Sequence, residues 1–383
     1  MDDARARSRW NYADSAMTPR VTATYHVYGE PASIAARART IAVEQSVEMP
    51  LEAIDDPAVL GDIVGEVQSV RPLGERLFEV RIGLAMATIG NDAGQLLNML
   101  FGNTSLHDDV VLHEISLPAA LVSAFRGPHH GSAGLRRRVG GSERALTCVA
   151  LKPQGLAPQR LAVLAERFAL GRIDYVKEDH GLADQDYSPA SARIIALACA
   201  VDRARQKTGH PTRYVPSISG NLAAMRRQIE HARQYHIDTI MLAPMIAGFA
   251  NMQALVAEFP DMAFFAHPSL GGAARIAPEL LFGTLFRLIG ADAVIFPNYG
   301  GRFGYTPETC RSLAANARKD QERLRPALPV PAGGMTLQRV PELLDFYGPD
   351  TMLLIGGSLL LAGERLTEET AAFASAVAAH NYR

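Results

Sequence analysis

From about residue 145 to the C-terminus, one unit recurs eight times: a short β-rich run followed by a helical stretch. The runs are ALTCVALKP, IDYVKED, TRYVPSIS, TIMLAPMIA, MAFFAHPS, AVIFPNYGG, LPVPAGG and TMLLIGG. Helical segments follow near 158–170, 188–207, 221–235, 250–258, 276–289, 306–324, 336–346 and 366–380. Eight strand–helix units within about 240 residues predict a parallel (β/α)8 barrel. A doubly wound open sheet is the competing reading. In a barrel, chemistry gathers at the C-terminal ends of the strands. The residues there are Lys152, Lys177 with Asp179 and His180, Ser219, His267, Asn298 with Arg302, Gly333-Gly334 and Gly356-Gly357.

The second run ends in an unusual way, GRIDYVKEDHG. Ile173 to Val176 reads as a strand, and Lys177, Glu178, Asp179 and His180 crowd its end before Gly181 breaks it. Buried charge is costly unless it is paired or bound to a metal. A lysine ammonium cannot bind a hard cation. A neutral amine can, and so can the carbamate formed with CO2, which mimics a carboxylate. Asp179 and a modified Lys177 would supply oxygen ligands suited to Mg2+. A carbonyl polarised by that ion acidifies the neighbouring C–H. Lys152 ends the adjacent strand, where nearby cations would bring an amine toward neutrality and fit it for acid/base work. For each lysine taken singly, a surface salt bridge is the plainer reading.

Gly333-Gly334 and Gly356-Gly357 end the seventh and eighth runs, where barrels of this kind bind phosphate on backbone N–H groups. Simple left-handed turns are the alternative. His267, before Pro268, reads equally as a structural histidine or a ligand contact. Arg302 lies in NYGGRFGY, whose glycines make either a mobile loop that carries the arginine over substrate or an ordinary exposed loop.

The first third mixes elements without regular alternation. Strands are expected from Val21 to Tyr28 and in DIVGEVQSV, LFEVRIGLAM and VVLHEISLP, with helices in PASIAARARTIAVEQS, AGQLLNMLF and PAALVSAF. This predicts a small α+β domain of ferredoxin-like type over 21–140, after a flexible stretch at 1–20 and before a barrel domain at 141–383. RGPHHGSAGLRRRVGGSER, residues 126–144, reads as a linker in which Arg136-Arg137-Arg138 form a solvated turn, with binding of an anionic ligand as the alternative. A formal net charge of −2 gives no reason to expect nucleic acid or a membrane surface as partner. Cys148, Cys199 and Cys310 lie far apart and read as reduced core thiols of a cytoplasmic protein. No apolar h-region opens the chain, and no apolar run reaches the roughly 18 residues of a membrane span.

Taken together and in this order, these motifs resemble the large subunit of ribulose-1,5-bisphosphate carboxylase/oxygenase, from about Val21 to Gly363. IDYVKEDH is similar to that family's FTKDDE signature, which implies that Lys177 is the carbamylated lysine and that Asp179 and His180 are the metal ligands. LKPQGL resembles its KPKLGL motif, which assigns the catalytic lysine to Lys152. PAGGM and LIGG fall on its phosphate glycines, and FRGPHHG resembles its linker. AVEQSVE and LFGN resemble the segments that supply a glutamate and an asparagine across the dimer interface, here Glu44 and Asn103.

The departures bear on the activity. His180 stands where the carboxylase has glutamate, and Gln154 stands for its second lysine. Pro268 replaces the arginine after the strand-five histidine, and the strand-six histidine has no counterpart. Arg302 replaces the loop-six lysine, and Ala332 a serine before the strand-seven glycines. These losses fall on carboxylation and on a second phosphate site, while the glycine site remains. The resemblance therefore points to the form IV, RuBisCO-like branch. It implies a Mg2+-dependent, homodimeric enzyme that enolises or isomerises a monophosphorylated keto-sugar in methionine salvage. A decarboxylase or hydrolase of a 3-oxo sugar-acid phosphate, and a non-catalytic sugar-phosphate-binding dimer, are the alternatives.

Overall fold

A computed structural model describes residues 19–141, 143–321 and 324–382. Most of the flexible stretch expected at 1–20 lies outside the described residues, and Arg20 already opens the first strand. Strands β1 (Arg20–Tyr28), β2 (Glu66–Pro72), β3 (Leu77–Ala85) and β4 (Val110–Ser116) form an antiparallel sheet in the order β2-β3-β1-β4. Val21, Ala23, Tyr25 and Val27 alternate along β1 and are fully buried, as a strand with one covered face requires. Helix Ile34–Glu44 buries Ile34, Ala38 and Ile41, and helix Ala93–Phe101 receives the Tyr25 hydroxyl on the Leu100 carbonyl at 2.6 Å.

The eight runs become eight parallel strands: β5 (Leu146–Ala150), β6 (Tyr175–Lys177), β7 (Arg213–Val215), β8 (Thr239–Leu242), β9 (Ala263–Ala266), β10 (Ala293–Pro297), β11 (Leu328–Ala332) and β12 (Met352–Ile355). Their order is β7-β6-β5-β12-β11-β10-β9-β8. The Ile218 N–H donates to the Met241 carbonyl (2.8 Å) and the Met241 N–H to the Pro216 carbonyl (2.9 Å), joining β7 to β8. That closes the barrel and removes the open-sheet alternative. Its interior is filled by side chains such as Cys148, Tyr175, Val215, Met241, Phe265, Ile295 and Val330. Tyr175 faces inward, so strand alternation turns Lys177 inward as well, at the C-terminal mouth.

The segment read as a linker differs from expectation. It contains a helix, Gly131–Arg138, whose Leu135, with the following Val139, joins the barrel interior. The Tyr175 hydroxyl donates to the Leu135 carbonyl at 2.8 Å, so this helix plugs the N-terminal end of the barrel. Arg136 is buried and pairs with Asp350 at 2.9 Å, and Arg138 pairs with Asp238 at 3.3 Å. Neither arginine belongs to a solvated turn. Glycine and arginine content disguised a helix that is held by tertiary contacts rather than by propensity. Cys148 and Cys310 are buried, whereas Cys199 is exposed and is not a core thiol.

Just before β6, Asp174 is fully buried and clamps three segments. It accepts from Arg144 at 2.8 and 2.7 Å and from the Thr147 N–H and hydroxyl, both at 2.9 Å; His210 lies 3.2 Å away. Burial pushes its pKa up, but the Arg144 and His210 hydrogen bonds outweigh that and hold it below the usual carboxylate value. A folded pKa below the unfolded one means stability present near neutrality and lost as pH falls through the folded value. Asp174→Asn is therefore expected to cost about 3 kcal/mol at pH 7 by stranding the arginine. It should also flatten the fall of Tm between about pH 5 and pH 3, read by thermal unfolding across a pH series.

Candidate active site at the barrel mouth

Lys152, Lys177 and Asp179 meet at neighbouring strand ends. The Lys152 ammonium donates to Asp179 Oδ2, and the Gly181 N–H donates to Asp179 Oδ1 at 3.0 Å. Burial raises the Asp179 pKa, but these two donors more than offset it and hold the carboxyl down at about 2. Lys177 is 3% exposed, and its amine donates to the Glu178 carbonyl at 2.6 Å. Burial pushes its pKa down to about 8, with Cys148 and Asp179 opposing the drop. A usable fraction is thus free amine at neutral pH, the form that can take up a proton or react with CO2.

Asp179 Oδ1 also lies 3.2 Å from His180 Nδ1. The His180 ring stacks on His267 from across the mouth, with centroids 4.2 Å apart and planes 8° apart. Burial lowers both imidazole pKa values, that of His267 strongly, with Lys177 and His180 adding to its shift. The Ser269 N–H donates to His267 Nδ1 at 3.2 Å, so Nδ1 is an acceptor and the neutral ring carries its proton on Nε2. That leaves a ring N–H as the donor His267 can offer.

The glycine pairs behave differently from each other. Gly334 has φ +64, and a Cβ there would fall 2.8 Å from the Gly300 carbonyl oxygen. The loops after β10 and β11 therefore pack backbone against backbone. Gly333, Gly356 and Gly357 face open space, with nothing within 4 Å of an added Cβ. Ser358 ties the loop after β12 to the loop after β11 by donating to the Met335 carbonyl at 2.9 Å. Because β12 pairs with β5, this open glycine surface adjoins Lys152. Asn298 is buried and tied down: its amide oxygen accepts from the Tyr347 hydroxyl at 2.7 Å, its backbone N–H donates to the Ala332 carbonyl at 2.8 Å, and its side-chain amide lies 3.5 Å from the Gly333 carbonyl.

Arg302 is exposed, with its guanidinium 4.8 Å from the Phe303 ring centroid, and its charge reaches His180. Ser219 is tied by its backbone to Gln228. Asn103 donates to Glu44, at the end of helix Ile34–Glu44, at 3.1 Å in an exposed contact. No hydrogen bond or ion pair joins this pair to Lys177 or Asp179 among the described residues. Two features escaped the sequence reading. Gln154 lies over Gly181, where a Cβ would overlap its amide. Glu178 turns away from the mouth into a buried pair with Arg193. Alternation from inward Lys177 carried that second signal. Two adjoining clefts of 510 and 760 Å³ open at the other end of the barrel, beside Asp238, away from this cluster.

Fold and site thus define a (β/α)8-barrel protein with an N-terminal antiparallel sheet and a lysine–carboxylate site at the barrel mouth. Residues 131–294 match the ribulose bisphosphate carboxylase large chain, catalytic domain. Over 363 residues, 94% of this chain and 97% of the relative, it is 60% identical to a Rhodospirillum rubrum protein named 5-methylthioribulose-1-phosphate isomerase. It is 31% identical to a 2,3-diketo-5-methylthiopentyl-1-phosphate enolase of Geobacillus kaustophilus, over 77% of this chain and 76% of that one. The crystal structure of a Rubisco-like protein from Rhodopseudomonas palustris superposes with a TM-score of 0.90 at 49% identity, covering 95% and 99% of the two chains. The chain belongs to the ribulose bisphosphate carboxylase large-chain family, in its RuBisCO-like branch. The two enzyme relatives named above are an isomerase and an enolase.

Proposed function

We propose that this chain isomerises a monophosphorylated methylthio-ketose, 5-methylthioribulose 1-phosphate, and does not fix CO2. The observation that carries the reading is the Lys152–Asp179–Lys177 cluster beside an open glycine surface, in a chain 60% identical to a protein named for that isomerisation. Asp179 and His180 offer a hard cation one carboxylate and one imidazole. Among the described residues, no three His, Cys, Asp or Glu side chains converge on a metal position. The donor set fits Mg2+ once Lys177 carries a carbamate, which adds the missing oxygen. Mg2+ there would supply Lewis acidity at the substrate carbonyl oxygen.

The chain's own groups do the rest. Gly333, Gly334, Gly356 and Gly357 hold the phosphate on backbone N–H groups. His267 donates its Nε2–H to a substrate oxygen. Lys152, released from Asp179 and having first given its extra proton to solvent, takes the proton from the carbon beside the carbonyl as a neutral amine, and that proton is returned at the neighbouring carbon, so the product has the same formula. Arg302, between Gly300 and Gly304 at φ +69 each, swings over the bound substrate. Glu44 and Asn103 complete the site of a second copy in a homodimer. A phosphorylated intermediate as substrate suits a cytoplasmic protein, and no helix among the described residues is long and apolar enough to cross a membrane.

The test offers 5-methylthioribulose 1-phosphate and 2,3-diketo-5-methylthiopentyl 1-phosphate separately, with Mg2+ and bicarbonate, and follows them by phosphorus NMR. An isomer of unchanged mass from the first compound is expected. Conversion of the second alone would make the protein an enolase, and conversion of neither would leave a sugar-phosphate-binding dimer. Stripping CO2 and bicarbonate should lower turnover at least about tenfold. Labelled CO2 should not enter acid-stable product when ribulose 1,5-bisphosphate is supplied.

A further inference from the structure

Behind the site, the chain buries an ion pair that the proposed chemistry does not use. Glu178 and Arg193 side chains are both 0% exposed, with Arg193 Nε donating to Glu178 Oε1 at 2.6 Å. The Tyr214 hydroxyl donates to the same oxygen at 2.5 Å, and the Ser217 N–H donates to Oε2 at 2.9 Å. Arg193 Nη1 also donates to the carbonyls of Ala183 (2.9 Å) and Ser188 (2.5 Å). Its Nη2 is buried with no partner among the described residues.

Such a pair is a poor source of stability. Desolvating two ions cancels most of their attraction, and apolar replacement of a buried pair is often neutral or stabilising. Its contacts show what else it does. Glu178 separates Lys177 from Asp179 in the chain, and its own carbonyl accepts the Lys177 amine. Its carboxylate ties the end of β6, only three residues long, to β7 through Tyr214 and Ser217. Arg193, on helix Ala190–Thr208, anchors the loop that follows Asp179. Both residues flanking Glu178 are therefore fixed from behind by charge-assisted hydrogen bonds with defined directions, which apolar packing cannot replace.

We propose that Glu178, with Arg193 and Tyr214, is a positioning residue that sets the placement of Lys177 and Asp179 for metal binding and proton transfer. The inference rests on the functional reading above. It is tested in the full chain by Glu178→Gln and by the paired Glu178→Leu/Arg193→Met, which keeps the volume apolar and filled. The paired variant should stay folded, with a moderate loss of Tm because the Tyr214 hydroxyl and the Ser217 N–H lose their acceptor. Divalent-ion affinity in bicarbonate buffer, by calorimetry, should fall about tenfold or more in both variants. The kcat should fall about as much, with KM within about twofold, because phosphate binding lies elsewhere. Ion affinity and kcat both near wild-type values in the paired variant would overturn the proposal. If the wild type binds no ion but turns over, the kcat-against-KM split decides. If it does neither, the functional reading fails, and amide exchange over residues 177–188 decides instead. Exchange that speeds up there by more than the change in global stability accounts for supports the positioning role, and exchange that follows global stability alone overturns it.

Discussion

Lys177→Met is expected to abolish turnover while making the fold more stable. The amine is buried at the barrel mouth, and desolvation, only partly offset by Cys148 and Asp179, pushes its pKa down from 10.5 to about 8. That difference corresponds to about 3 kcal/mol held against folding at neutral pH. The sign follows from proton counts: between the two pKa values the unfolded chain binds more protons, so stability rises with pH there and the penalty is full below about 8. Methionine has similar length and no charge, so it removes the penalty. Turnover should fall by about 10³-fold or more, because the substitution takes away both the amine and any carbamate built on it. Steady-state kinetics and thermal unfolding read the two effects separately. An active variant would take Lys177 out of the chemistry, and an unfolded one would make its role structural.

Gly357→Asp is expected to raise KM about 100-fold with little change in Tm. A Cβ at Gly357 meets nothing within 4 Å, so the fold accommodates the side chain. The new carboxylate would stand at the proposed phosphate position, and like charges a few ångströms apart repel by about 3 kcal/mol near a protein surface. Gly334→Ala gives the opposite pattern. With φ +64 and the Gly300 carbonyl oxygen 2.8 Å from the new Cβ, it should lower Tm first. A KM for Gly357→Asp equal to wild type would move the phosphate away from β12.

Much of the fold was legible because each barrel strand is an apolar run punctuated by glycine or proline, and the helices between carry their own period. The lysine–carboxylate cluster was legible for the same reason. Once Lys152 and Lys177 stand at the ends of adjacent strands, topology alone brings them together. What stayed hidden depends on contacts across the barrel. The His180–His267 stack joins strand ends distant in sequence, and nothing local in either segment marks it. Arg193 reads as an ordinary charged helix residue until Glu178 is seen facing outward from β6. The helix at Gly131–Arg138 was missed because glycine and arginine imitate a linker, whereas Leu135 and Val139 hold it in the barrel floor. Glu44 and Asn103 pair with each other at 3.1 Å, a contact between segments far apart in sequence that neither segment marks locally.

The barrel mouth is proposed to remove a proton from the carbon beside a carbonyl. Incubation of 5-methylthioribulose 1-phosphate with the protein in D2O, with Mg2+ and bicarbonate, tests it by proton NMR and mass. Deuterium is expected at carbon beside the carbonyl in recovered substrate or product, and it should vanish with Lys177→Met. Absence of deuterium there, from this compound and from a panel of other ketose phosphates, would contradict the claim.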